Sequence, residues 1–257
     1  MSETVFITGA SSGIGAALAR AYAARGAIVG LGARRGELLD ALIATLPSPQ
    51  RHRRYVLDVT DAAALHAAAA DFCSSVGVPD IVVANAGISA GTLTEHQEDL
   101  VAFRRVIEVN VFGLAATFAP FAAAMRGRGS GRLVGIASVA GIRGLPGAEA
   151  YSASKAAAIS YLESLRLELR SSGVKVVTIA PGYIESPMTA VNPYPMPFIL
   201  PVDVAARRFI RAIDRGTSYT VIPWQMGFVA KALRLMPNWL YDRLFARAPR
   251  KPRGLPV

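Results

Sequence analysis

Short apolar runs rich in valine and isoleucine alternate with longer helical patterns from the start of the chain to about residue 222. The runs predict strands over Thr4–Thr8, Ala27–Leu31, Arg54–Asp58, Ile81–Asn85, Arg132–Ser138, Lys175–Ala180 and Tyr219–Ile222. Several are apolar at consecutive positions, hence on both faces, as strands held between two helix layers must be. Between them "IGAALARAYAARG", "RGELLDALIATL", "DAAALHAAAADFCSSVG", a long pattern from Glu98 to Met125, "AYSASKAAAISYLESL" and "VDVAARRFIRAID" predict helices. This alternation argues for an α/β fold with a doubly wound parallel sheet of about seven strands and helices on both faces. No Gly/Ser linker, repeat or low-complexity segment divides it. Residues 1–222 therefore form one expected domain, followed by an extension, 223–257.

Composition supports a packed core: 52% of the 257 residues are hydrophobic and 18% charged, which excludes a disordered chain. The single cysteine, Cys73, cannot close an internal disulfide, and no Cys/His cluster has metal-ligand spacing, so no metal is expected. The start, "MSETVFITGA", lacks the basic and apolar regions of a signal peptide, and no uninterrupted apolar run has spanning length, which together predict a cytoplasmic protein. The net charge of +10 is concentrated: from Pro223 onward seven basic residues face one acid, Asp242. A nucleic-acid binder would spread or stripe its charge over the body, and no stacking motif accompanies it here.

The first strand runs into "TGASSGIG", residues 8–15, and then directly into a helix. Gly9 suits the tight turn, while Gly13 and Gly15, flanking Ile14, let a pyrophosphate approach the helix N-terminus, with Ser11 and Ser12 as further donors. Further along, Tyr151 and Lys155 are four residues apart on a helix, so a phenol and an ammonium share one face. Other motifs follow in order: "LDVTD" with Asp58 and Val59, "NAG" with Asn85, Ala86 and Gly87, "VNVFG" with Asn110, "IASVAG" with Ser138, and "PGYIESPM" with Pro181, Gly182, Ile184 and Ser186. With these the chain resembles the short-chain dehydrogenase/reductase family over residues 3 to about 222.

The resemblance implies a Rossmann-type fold and a catalytic tetrad of Asn110, Ser138, Tyr151 and Lys155. It also implies that Asp58 contacts the adenine edge, that "NAG" lines the cofactor, and that the Pro181 loop contacts the nicotinamide, with Ser186 where threonine is commoner. In the implied chemistry hydride passes from nicotinamide to a carbonyl carbon, Ser138 holds the oxygen and Tyr151 protonates it. A phenol's ordinary pKa lies near 10, so a neighbouring ammonium is expected to lower it. Lys155 is expected also to reach ribose hydroxyls, and Asn110 to support a water relay. At the second strand's end, Arg34 and Arg35 stand where an acid would select NAD, which favours NADP. Glu37, the counter-candidate, falls in the next helix's first turn.

Two segments depart from the pattern. The lid position, 187–202, is apolar and proline-rich, so it is expected to be extended, with Met188, Met196, Phe198, Ile199 and Leu200 available to line a pocket. The extension predicts two short amphipathic basic helices, Gly227–Met236 and Asn238–Ala246, parted by Pro237. They would either pack on the domain or on a second subunit of a homodimer or homotetramer, or lie reversibly on an anionic membrane surface. The expected function is an NADP-dependent oxidoreductase for a hydrophobic carbonyl or secondary alcohol. The alternative is a nucleotide-bound docking module working through its basic tail. His52, His66 and His96 have no partners at catalytic spacing and read as surface or loop residues.

Overall fold

A computed structural model describes residues 2–254. Its seven strands are β1 (Thr4–Thr8), β2 (Ile28–Ala33), β3 (Arg53–Val56), β4 (Ile81–Ala84), β5 (Gly131–Ile136), β6 (Val174–Pro181) and β7 (Tyr219–Ile222). They form one sheet in the order β3-β2-β1-β4-β5-β6-β7, parallel throughout. The alternation of side chains along each strand builds two cores. Val5, Ile7, Ile81, Val83, Val134, Ile136, Val177 and Ile179 face one side, while Phe6, Val82, Ala84, Leu133, Val174 and Val176 face the other.

Helices α1 (Gly13–Ala24), α2 (Gly36–Ala44) and, from later in the chain, Val202–Asp214 cover the first side. The second side takes α3 (Ala62–Ser75) and α5 (Gly113–Arg128), which follows α4 (Asp99–Ile107), and then α6 (Glu149–Glu168). Strand order reverses between β1 and β4, so the crevice at the carboxyl ends of these strands is where a doubly wound sheet binds ligands.

The long pattern from Glu98 is one helical rod, but Glu108–Phe112 is a π-helical turn between α4 and α5. By length and composition the rod Asp99–Arg128 could cross a bilayer; half of its most apolar window is buried inside the protein, and Arg104, Arg105 and Glu108 interrupt its apolar face. The lid segment departs from the extended expectation. Pro187–Ala190 forms a single helical turn, α7, because proline is preorganised for a first helical position and Ser186 and Thr189 cap it reciprocally. The helix Val202–Asp214 is α8.

His52 is not a surface residue. It is buried, its Nδ1 accepts the Val29 N–H at 3.2 Å, and its Nε2 lies 2.9 Å from the Pro47 carbonyl oxygen. The ring thereby ties the start of β2 to the loop before β3.

The extension forms α9 (Trp224–Leu235) and α10 (Asn238–Phe245). The first starts three residues before the expected Gly227, because the chain leaves Pro223 in extended conformation and turns helical at once. One face of the pair is anchored: Arg143 donates to the carbonyls of Leu233 at 2.5 Å and Met236 at 2.6 Å and stacks 4.0 Å from the Tyr241 ring centre. The Tyr241 hydroxyl donates to Gly144 O at 2.6 Å. The other face stays open, with Trp224, Phe228, Leu235, Trp239 and Leu244 exposed.

Candidate active site

The glycine turn lies between β1 and α1. Gly9 has φ of +68°, a left-handed conformation that favours glycine, and a Cβ there would fall 2.7 Å from Ala86 Cα. A Cβ on Gly15 would fall 2.6 Å from Asn85 Nδ2, so the helix start can meet the end of β4 only without a side chain. Asn85 uses Nδ2 as a staple, donating to the carbonyls of Thr8 at 3.0 Å and Gly9 at 3.2 Å. Gly13 faces the loop after β6, its Cβ position 3.4 Å from Ser186 Cβ. Ile14 packs at the edge of the first core. The turn, α1's free N–H groups and the Pro181–Ser186 loop thus border one crevice, whose bare backbone and helix N-terminus suit a dinucleotide's pyrophosphate.

Arg35 reaches back over this turn, donating to Ser11 Oγ at 2.9 Å and Ser12 Oγ at 3.0 Å. Arg34 is exposed, as is Glu37, which lies in the first turn of α2. Asp58 is already engaged: it accepts from Thr60 N at 2.9 Å, from Thr60 Oγ1 at 2.8 Å, and from Arg105. Burial alone would raise its pKa; the bonds from Thr60 and Arg105 outweigh it and hold the carboxyl below the usual range. Next to it Val59 is buried.

Ser138, Tyr151, Lys155 and Asn110 come together where β5, α6 and the π turn meet. Ser138 lies two residues beyond β5 in extended conformation, and its Oγ accepts the Ala140 N–H at 3.2 Å, which leaves its own hydrogen to donate. Burial raises the Tyr151 pKa, and the Ser138 side chain opposes that rise. Lys155 is not among the groups that shift it. The ammonium stands 5.8 Å from the Tyr151 ring centre and donates to Ile136 O at 2.8 Å. Burial brings the Lys155 pKa down to about 8.

Asn110 is saturated as a donor. Its Nδ2 bonds Ile88 O at 2.9 Å and Ser154 Oγ at 3.0 Å, and its Oδ1 accepts the Ile88 N–H at 2.8 Å. The expected relay thus cannot run through this side chain's N–H groups; the side chain instead fixes the loop after β4. Gly87 sits beside it, its Cβ position 3.2 Å from Asn110 Oδ1 and 3.5 Å from Lys155 Nζ. On the β6 side, Gly182 N donates to Ile222 O at 2.9 Å, and Ile184 is buried and bridges to Leu200, closing the lid's base behind Pro181.

Several residues escaped sequence reasoning. Tyr183 and Tyr194 lie ring against ring at 6.5 Å, and Tyr194 is close enough to Tyr151 for their charges to interact. Their only sequence signals are the lid region for Tyr194 and the "PGYIESPM" loop for Tyr183. Ser154, inside the "YSASK" motif, was legible as a neighbour of Lys155; Arg105 carried no signal.

The arrangement offers a hydroxyl donor, a half-buried phenol and a buried ammonium beside a crevice suited to a dinucleotide. The family model for short chain dehydrogenase matches residues 3–194. An uncharacterized oxidoreductase of Myxococcus xanthus (strain DK1622) is 40% identical over 93% of this chain and 95% of its own. The 2-dehydro-3-deoxy-L-rhamnonate dehydrogenase (NAD(+)) of Sphingomonas sp. (strain SKA58) is 39% identical over 71% of this chain and 72% of its own. A short chain dehydrogenase from Burkholderia cenocepacia J2315, solved in complex with NADP, superposes with a TM-score of 0.81 at 27% identity, covering 95% of this chain and 97% of that one. The chain belongs to the short-chain dehydrogenase/reductase family of nicotinamide-dependent oxidoreductases that act on CH–OH groups.

Proposed function

We propose that this enzyme is an NADP-dependent reductase or dehydrogenase that interconverts a carbonyl and a secondary alcohol on a substrate with a hydrophobic body. The observation that carries the cofactor half is Arg35 drawn over the glycine turn onto Ser11 and Ser12, with Arg34 beside it, a cationic corner suited to a 2′-phosphate. The substrate half rests on the lid, where Met188 and Phe198 are exposed and Tyr194, within electrostatic range of Tyr151, packs its ring against Tyr183.

The glycine turn, Asp58, Val59, Asn85–Gly87, Lys155 and the Pro181–Ser186 loop would hold the dinucleotide, which when bound supplies or takes up the hydride. Ser138, its hydrogen free, donates to the carbonyl oxygen as negative charge grows there. Tyr151 passes its phenolic proton to that oxygen in reduction and takes it back in oxidation. Lys155 spends one N–H on Ile136 O and keeps two to orient ribose hydroxyls. Asn110 acts by position, holding Ile88 and Ser154 around the lysine.

The test is a carbonyl and alcohol panel followed by nicotinamide absorbance with both cofactors. Wild type should prefer NADPH, and replacing Arg34 and Arg35 together by glutamine should weaken NADPH by about tenfold to a hundredfold, with NADH little changed. A wild type that prefers NADH refutes the cofactor assignment.

A further inference from the structure

The last described residues do not trail away from the domain. Pro249 and Pro252 keep residues 249–252 out of helix, and this strap crosses the loops that follow three different strands. After β4, Gly91 N donates to Pro252 O at 3.0 Å, and the backbones approach so closely that a Cβ on Gly91 would fall 2.5 Å from that oxygen. After β5, Arg250 lies against Gly147, in the loop between Ser138 and Tyr151, within 2.9 Å of where a Cβ would stand. After β6, Lys251 Nζ lies 3.4 Å from Met188 O on the lid. All three loops stand at the carboxyl ends of the strands, where this fold places its reacting groups.

The strap is latched. Arg253 grips Asp99 with two bonds, Nε to Oδ2 at 2.8 Å and Nη2 to Oδ1 at 3.2 Å, and Nη2 also meets Glu98 Oε1 at 2.8 Å. Asp99 Oδ2 in turn accepts the Leu93 N–H at 2.9 Å, which joins the latch to the loop after β4.

Arg253 is thus paired within the protein, whereas the half-buried Lys251 keeps N–H groups free for a ligand. An ammonium has three N–H donors, and the structure gives this one a single long bond to a carbonyl. No carboxylate among the described residues comes within ion-pairing distance of it; the pairs nearby belong to Arg253. Burial pushes its pKa down, the response of a cation whose surroundings supply no counter-charge.

We propose that the strap walls the substrate side of the site and that Lys251 is its anion-recognising group, selecting carbonyl substrates that carry a carboxylate on their hydrophobic body. This rests on the reductase reading above and adds a substrate class to it: keto acids and hydroxy acids.

The experiment compares keto acids of graded chain and ring size with their own methyl esters, using the preferred cofactor. For the best acid, kcat/KM should exceed that of its ester by about tenfold or more. Lys251→Met should remove that preference by lowering the acid alone, Lys251→Arg should retain it, and Arg253→Gln should raise KM for acid and ester together with little change in kcat. NADPH affinity should be unchanged in Lys251→Met. A matching loss of NADPH affinity would assign the lysine to a cofactor phosphate and overturn the proposal. Equal use of acid and ester by wild type, a preference that survives Lys251→Met, or cofactor binding with no keto acid turned over overturns it too. Failure to bind either nicotinamide cofactor would instead defeat the reading on which it rests.

Discussion

Replacing Asn110 by alanine tests the arrangement at the π turn most directly. The side chain is 1% exposed, and its loss strands three polar groups: the Ile88 N–H, the Ile88 carbonyl and the Ser154 hydroxyl. Ser154 is fully buried and can turn its hydrogen to Tyr151 O, where it already donates at 2.8 Å, so it suffers least. The two Ile88 groups cost about 1–3 kcal/mol each when left unpaired in a dry site, and less where water follows into the space. A total loss of about 3 kcal/mol is therefore expected, which for a domain of this size lowers Tm by about 6–12 °C. Urea unfolding followed by far-UV circular dichroism measures it. Ser154→Ala, which breaks one of the three Asn110 bonds and leaves a single Asn110 N–H unpaired, should cost less, about 1–2 kcal/mol. Asn110→Asp keeps the acceptor for Ile88 N but sets a carboxylate oxygen against the Ile88 carbonyl, and should be no better than alanine. An Asn110→Ala loss below about 0.5 kcal/mol, the range of an ordinary surface change, would refute the bonding described.

Tyr151→Phe should lower kcat by about a hundredfold to ten-thousandfold while NADPH still binds in a fluorescence titration, because only the proton donor is removed; full activity would end the proposed proton transfer. Burial lowers the His52 pKa, against a smaller upward pull from its bond to Pro47, so the folded protein binds fewer protons there than the unfolded chain. The stability it confers is complete above the unfolded value near 6.5 and drains away as pH falls through the lower folded value. His52→Gln should flatten the fall in the urea midpoint between about pH 7 and pH 5, and an unchanged slope would remove His52 as its source.

The fold was legible because a parallel sheet covered on both sides demands strands that are buried at consecutive positions, as "IVVA" and the stretch "VVTIAP" are. The glycine turn was legible for a similar reason: close backbone approach admits only one residue type. What escaped was set by contacts distant in sequence. His52 looks like any loop histidine until Val29 supplies a buried N–H for it. The π turn has no periodic signature of its own, and helix continuity hid it. Proline content suggested an extended lid, yet a proline that follows a capping serine starts a helical turn instead. The ammonium and phenol were rightly set on one helix face, but the pull of Ile136 O on Lys155 is a tertiary fact that spacing cannot carry. Arg253 and Asp99 meet across 154 residues, and nothing local to either marks the pairing.

The open face of α9 and α10 has an optical consequence. The protein has two tryptophans, Trp224 and Trp239, one on each helix of the extension, and they are 64% and 69% exposed. Intrinsic tryptophan emission therefore carries almost no signal from the sheet or its cores. The folded protein should already emit at the long wavelengths of hydrated indole, and unfolding should shift that emission little. The same blindness makes these indoles a selective reporter. Any partner, second copy or lipid surface that covers the helices will move the emission to shorter wavelength, whereas events confined to the crevice leave its position unchanged.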